Sequence, residues 1–324
     1  MLRRTLLNRL AGTMLAGVAC CPAWAQDFPS RAITILVPYN AGGITDQLAR
    51  EVGAKLSELV KQPVGVENKS GGGGQIAVNA LKAAPADGYT IFIADFGPLA
   101  LNSSLFAKLS YDVAKDMRAV TRLIDSPSLL VVPPNSPVRS VDELFKAAKA
   151  GGAVSYASPG VGSGGHLFGA MLTKQLNVQL THVPYRGSGA GLIDVSSGQV
   201  AFMFDSIVSS GAMARSDKVR PLAIGAAKRS PLFPQVPTLK ELGYEPLAAV
   251  SWFGAMVKAG TPDAVVDRLN ASLRAAMTDP AVSKKFVDQG VEVVTSTPQE
   301  FSTFIRAETE RWGKVIRDAG MTVE

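Results

Sequence analysis

Two stretches of this chain repeat one design, an apolar run followed by a glycine-rich turn and a helix start. They read ITILVPYNAGGITD at 33–46 and VSYASPGVGSGGH at 154–166. In the first, Ile33, Ile35, Leu36 and Val37 predict a strand buried on both faces, which Pro38 ends. Asn40, Ala41, Gly42 and Gly43 turn the chain, since glycine can take φ > 0 and leaves its N–H open to whatever lies in front. Leu48, Val52, Leu56 and Leu59 then recur at helical spacing and predict a helix with one inner face. The first N–H groups of such a helix are unpaired and carry roughly half a positive charge, so the turn reads as an anion site suited to a carboxylate. An ordinary βα turn of an α/β domain accounts for the same residues.

Further strands are predicted at 89–94, 129–132, 153–157, 181–184, 200–204, 219–224 and 250–257. Between them, Ser140 with Glu143 and Thr297 with Glu300 form capping boxes, and Thr261-Pro262 opens another helix. Strands and helices alternate, so the fold class is α/β. The strand at 89–94 runs into Asp95-Phe96-Gly97-Pro98. In a parallel sheet Asp95 would stand at a strand's carboxyl end beside the first glycine turn, where open α/β sheets bind ligands. The strand at 200–204 ends likewise at Asp205.

Residues 1–25 read as a secretory signal: a basic start, an apolar segment at 10–20, and Ala23-Trp24-Ala25 before Gln26. The apolar run is too short to span a bilayer of ~30 Å. Arg3-Arg4 leaves twin-arginine export open beside the general route. Cleavage after Ala25 removes both cysteines, so the mature chain would carry no disulfide into an oxidising compartment. It also removes three arginines, leaving thirty basic against 27 acidic residues, a balance of +3 that gives no reason to expect nucleic acid. With 324 residues, 47% of them hydrophobic, two domains can form.

Catalytic machinery is not visible. Gly160-x-Gly162-x-x-Gly165 matches the dinucleotide fingerprint, but the ribose-binding acid expected about twenty residues on is missing. His166 and His182 have no partner at metal-ligand spacing, so neither metal nor cofactor is expected. A hydrolase would need Ser158 or Ser163 activated by His166, without any Gly-x-Ser-x-Gly elbow. Binding machinery is visible instead. The N–H groups of Gly42, Gly43, Ser163 and Gly164, with the hydroxyls of Ser158 and Ser163, could clasp a carboxylate between two helix N-termini. Arg186 is the nearest candidate for an arginine clamp, and equally reads as a hinge or surface residue.

The ordered set VPYNAGGITDQLAR (37–50), VENKSGGGGQIAVNALKAAPADGYT (66–90), YASPGVGSGGHLFG (156–169), HVPYRGSGAGLIDVSSGQVAFMFD (182–205), VPTLKELGYE (236–245), WFGAMVKAGTP (252–262) and RWGKVIRDAG (311–320) resembles the Bug, or TctC-like, extracytoplasmic solute receptors of tripartite tricarboxylate transporters. The resemblance implies a two-domain type II periplasmic binding protein with a ligand cleft between the domains: 26–126 plus 246–324 as one, 127–245 as the other. It implies a monomer, delivery of a small carboxylate to membrane permease subunits, and no enzymatic activity. A receptor feeding a signalling partner would carry the same residues. The family's carboxylate-holding turns correspond here to Tyr39–Gly43 and to Ser158, Gly162, Ser163 and Gly164. The chain departs from the family at Ala41, where proline is usual, and at Asp95, commonly a small polar residue. A carboxylate at 95 would repel a second ligand carboxylate. The expected ligand therefore carries a donor or positive charge at its far end, as in a zwitterionic amino acid, an amide or a hydroxylated aromatic acid. Phe96 would supply an apolar wall, while Asp205 is family-typical and reads as either a ligand residue or a structural one.

Overall fold

A computed structural model describes residues 28–150, 154–244, 250–318 and 320–322. The signal segment and its cleavage site lie outside the described residues. Among the described residues eleven strands form two sheets: β1 (Ile33–Val37), β2 (Val64–Asn68), β3 (Thr90–Asp95), β4 (Met117–Ser126), β5 (Ser128–Val132), β6 (Val154–Ser158), β7 (Leu180–Pro184), β8 (Phe202–Ser206), β9 (Arg220–Gly225), β10 (Ser251–Lys258) and β11 (Glu292–Val293). One sheet runs β11-β4-β10-β3-β1-β2 and the other β7-β6-β8-β5-β9. Each sheet with its helices forms a lobe. The chain leaves the first lobe between β4 and β5, across Pro127, and rejoins it at β10.

The lobes are built alike. In the first, β1 pairs in parallel with β2 and β3, and β10 closes antiparallel against β3. In the second, β6 pairs in parallel with β7 and β8, and β5 closes antiparallel against β8. Parallel neighbours send their carboxyl ends to one edge of the sheet, so in each lobe a glycine turn and an aspartate emerge side by side. Asp95 pairs with Phe253, and Asp205 with Leu129.

The helix Ile44–Val60 buries Leu48, Val52 and Leu56 against β1 and β3 neighbours such as Ile35 and Ile91, while Leu59 is exposed. The helix Pro298–Asp318 returns to the first lobe, where Trp252 and Trp312 both donate their indole N–H to buried Glu308 at 3.0 and 2.9 Å. β2 and β4 have no counterpart in the sequence reading. β4 carries Arg118, Arg122 and Asp125, which disguise a strand. Arg122 pairs with Asp125 and lies over the Phe304 ring. Among the described residues, no helix is long and apolar enough to cross a membrane.

Candidate functional site

Both glycine turns do lead into helix N-termini, and the two meet across the gap between the lobes. The helix Ile44–Val60 starts at Gly43 with no side-chain cap, and its first backbone bond runs from Gln47 N–H to Gly43 C=O. The N–H groups of Ile44 and Thr45 therefore precede the helical ladder. The helix Gly164–Leu176 is capped by Ser163, whose Oγ accepts from His166 N–H, and its first backbone bond runs from Leu167 to Ser163. Gly164 and Gly165 stand before that ladder. A third helix, Ser188–Ser197, begins at Gly187 without a side-chain cap. Thr45, Gly164, Gly165 and Ser188 all line one cavity between the lobes.

The cavity has about 40 Å³ of room, enough for a few waters, so a ligand enters only when the lobes part. Its floor lies beside the crossing from β4 to β5, with Ser128, Ser206 and Ser251 on the wall. Ser206 Oγ bonds to Ser126 Oγ at 2.8 Å, and Ile207 N–H donates to Pro127 C=O. Among the described residues no lysine, arginine or histidine lines the cavity, but two carboxylates do, Asp95 and Asp205. Asp95 Oδ1 accepts from Tyr39 Oη at 2.7 Å, and the Gly97 N–H also reaches its carboxylate. Burial pushes the Asp95 carboxyl up to about 6 against those donors. Burial and the Asp95 carboxylate raise the Tyr39 hydroxyl well above its ordinary value. Asp205 Oδ1 accepts from Ser188 Oγ at 2.7 Å and the Ser206 N–H also bonds to its carboxylate, yet burial lifts it to about 7. Asp205 Oδ2 is buried with no partner.

Of the residues expected to bind ligand, Tyr39, Gly43, Asp95, Ser163, Gly164 and Asp205 stand on the cavity wall. The rest lie behind or beside it, for reasons local to each. Gly42, at φ 96, spends its N–H on Asp46 Oδ2 at 3.0 Å. Asn40 and Ala41 are exposed, and Asn40 N–H donates across the gap to Arg186 C=O at 3.0 Å. Gly162 N–H donates to His166 Nδ1. Ser158 is fully buried, its Oγ bonded to His182 Nε2 at 2.7 Å and to the Gly160 backbone. Phe96 is fully buried in the first lobe's core beside Trp252 and Trp312, and is no cavity wall. Ser163 Oγ donates to Gly160 C=O at 2.7 Å rather than to a histidine. His166 and His182 stack with ring centroids 4.2 Å apart, and burial holds them near 4 and near 3 respectively. The Ser158–His182 pair is no poised nucleophile and base, since Ser158 is fully buried and His182 is held near 3.

Sequence reasoning missed Thr45, the Ser188 helix start and the serines of the floor. For Ser188 the signal was present: a strand, Gly187 and a helix repeat the design of the two recognised turns. It also missed the buttress under the first turn, where Asn68 Nδ2 donates to Tyr39 C=O and to Asp46 Oδ1.

The lobes touch without side chains at one seam. A Cβ on Gly97 would stand 2.5 Å from Gly162 C=O, and one on Gly162 2.3 Å from Asn102 Oδ1. Two α/β lobes joined by crossing strands, with a polar, helix-terminated cavity closed between them, define a two-lobed periplasmic binding protein of type II. Comparison then gives the family. The model of the tripartite tricarboxylate transporter family receptor, TctC, matches residues 48–321. BugT of Bordetella pertussis is 36% identical over 94% of this chain and 94% of its own. A solved structure of an R. palustris protein with adipate is 34% identical, with a TM-score of 0.87 over 92% of this chain and all of that one. MatC from Rhodopseudomonas palustris with bound malate is 31% identical, with a TM-score of 0.86 over 89% of this chain and all of that one. The chain belongs to the TctC, or Bug, family of periplasmic solute receptors, which are binding proteins and not enzymes.

Proposed function

We propose that this receptor captures a small carboxylate between its lobes, through the N-termini of the helices beginning at Ile44, Gly164 and Ser188, and hands it to permease subunits. The observation that carries the reading is the convergence of those three helix ends on one cavity, two of them without a side-chain cap. Each offers N–H groups and a partial positive charge to an anion, and contacts of this kind to a charged group are worth about 1.5–3 kcal/mol when shielded from water. The relatives solved with adipate and with malate support a carboxylate as the ligand. The ligand also meets Asp95 and Asp205 and, among the described lining residues, no cationic side chain, which favours a donor elsewhere on it over a second carboxylate. Tyr39, Gly43, Ser163 and Gly164 line the carboxylate end, with Thr45, Gly165 and Ser188 beside them.

The domains divide near 126 and near 245, and closure is a hinge motion about those crossings. The protein acts as a monomer, exported by residues 1–25 and cut after Ala25. The test is a thermal-shift screen of the chain from Gln26 against amino acids, amides, mono-, di- and tricarboxylates and aromatic acids. A ligand at a hundred times its Kd stabilises by about 2.7 kcal/mol, a shift of several degrees at this size. A shift confined to carboxylates supports the clasp. If no carboxylate moves the melt, the clasp is wrong.

A further inference from the structure

We infer that Asn68 is a positioning residue for ligand retention: it aims the Tyr39–Asn40 peptide so that the Asn40 N–H latches the mouth of the closed cleft onto Arg186 C=O of the opposite lobe, and this latch sets how slowly a ligand leaves. The inference rests on the carboxylate capture proposed above and adds what holds the lobes shut around it.

β7 is an edge strand of the second lobe's sheet, and an edge strand offers unpaired backbone groups along its outer side. Its continuation is paired on the inner side, where Tyr185 N–H donates to Ser158 C=O at 3.0 Å and Gly187 N–H to Pro159 C=O at 2.8 Å. Arg186 C=O is left for the outer side, and Asn40 N–H of the first lobe donates to it at 3.0 Å. Asn40 follows β1, whose end is tied to β2 by Lys69 N–H donating to Val37 C=O at 2.8 Å. A backbone ladder thus runs from β6 through the continuations of β7 and β1 to β2, across the gap between the lobes. Gly187 lines the cavity and Asn40 is exposed, so the bridging bond stands at the rim. The bonds of Ser126 to Ser206 and of Ile207 to Pro127 lie instead at the crossing from β4 to β5, where the lobes stay joined at any opening. Parting the lobes breaks the rim bond and spares those.

The other end of the same peptide aims the N–H. A trans peptide is planar, with C=O and N–H opposed, and Tyr39 C=O accepts from Asn68 Nδ2 at 2.9 Å. Asn68 ends β2 in register with Val37, two residues before Tyr39. Its amide is fixed on both sides: Nδ2 also donates to Asp46 Oδ1 at 3.0 Å, and Oδ1 accepts from Arg50 Nη2 at 3.1 Å. Ser70 Oγ donates to Asn40 Oδ1 at 2.6 Å and holds the next side chain. The Tyr39 hydroxyl meanwhile reaches Asp95 on the cavity wall. One residue therefore touches the cavity with its side chain and locks the mouth with its peptide. A bond made only after closure stabilises the closed complex and not the encounter, so losing it speeds departure and leaves capture alone.

In the experiment, the chain from Gln26 is loaded with whichever radiolabelled acid binds tightest among malate, adipate, succinate, glutamate and benzoate, and chased with the unlabelled acid. Asn68→Ala is expected to raise the dissociation rate about fivefold, with the association rate unchanged. Asn40→Pro deletes the N–H and is expected to raise it about as much; in that background Asn68→Ala adds almost nothing, because the two act through one bond. A residue that merely supported the fold would slow association as well and would add in full to Asn40→Pro. Wild-type hydrogen exchange needs no variant, so a misfolded variant does not protect the inference: the Asn40 amide is expected to slow about tenfold on saturation with the same acid, while the Lys69 amide, bonded within its lobe, changes little. Unchanged dissociation in both variants, or an Asn40 amide indifferent to the acid, overturns the latch and leaves the capture standing. No binding by any of the five overturns the capture itself and, with nothing to retain, the latch.

Discussion

Asp95 and Asp205 occupy the same slot in two lobes built on one plan. The strand order β4-β10-β3-β1-β2 of the first lobe has its counterpart in β9-β5-β8-β6-β7 of the second. In each lobe the aspartate ends the strand parallel to the one that feeds the glycine turn, and faces a residue of the antiparallel strand on its other side. Their surroundings then diverge. In the first lobe Tyr39, from the turn itself, reaches over and donates to Asp95. In the second lobe the turn residues are Ser158 to Gly165, and Asp205 is served instead by Ser188 Oγ from the neighbouring helix and by the Ser206 N–H. Topology delivers an acid to the cavity from each side; the turn itself supplies the hydroxyl donor in one lobe, and a neighbouring helix start supplies it in the other.

The largest expected effect comes from the cost of burying both acids. Each folded carboxyl is raised, to about 7 for Asp205 and about 6 for Asp95, so the native state holds protons that the unfolded chain has already released. Stability is therefore greatest below about pH 4 as far as these groups act, and falls as pH rises through their folded values. At 1.36 kcal/mol per pH unit the loss approaches about 4 kcal/mol for Asp205 and about 3 kcal/mol for Asp95. In ligand-free denaturation from pH 4 to 8, Asp205→Asn is expected to flatten the decline most and Asp95→Asn less. Identical slopes in both variants and the wild type would erase the distinction.

Next in size is Tyr39→Phe, which removes the donor that separates the two acids. Leaving Asp95 buried without it costs about 1–3 kcal/mol at pH 8, and less at pH 5, where Asp95 holds its own proton. Urea melts at the two pH values read the difference; equal losses at both would mean that the hydroxyl acts by packing alone. The smallest effect sharpens how the two halves meet. Gly97 has no side chain where Gly162 C=O passes, so Gly97→Ala obstructs closure without touching either lobe's core. Ligand affinity is expected to fall about tenfold, or about 1.4 kcal/mol, with the ligand-free melting temperature unchanged. X-ray scattering at saturating ligand should then give a larger radius of gyration than the wild type; an unchanged affinity and radius would remove the seam from the closing motion.

Much of the fold was legible because it rests on local signals. The apolar runs at 33–37, 129–132 and 200–204 and the helix starts at Ile44 and Gly164 follow from periodicity and from where glycine and proline fall, with the strands observed at Ser128–Val132 and Phe202–Ser206. β4 escaped because its charged residues are satisfied by partners far along the chain, such as Arg118 on Asp263 and Phe304 under Arg122. Phe96 looked like a cavity wall because its neighbour Asp95 is one, but successive residues at a strand end point opposite ways, and Phe96 turns to Trp252 and Trp312.

By itself the sequence determined an α/β chain with two strand–glycine–helix turns and, through the ordered motifs, the family of receptors to which it belongs. Each of those depends on residues close together in the chain. Only the tertiary structure decided which N–H groups stay open where the lobes meet, since Arg186 C=O, far along the chain, consumes that of Asn40. It alone brought Ser188, Ser128 and Ser251 to the same wall and left one oxygen of Asp205 without a donor. Hydrogen-bond satisfaction is settled by partners that the fold brings together from distant parts of the chain, and no local pattern records which of them will already be taken.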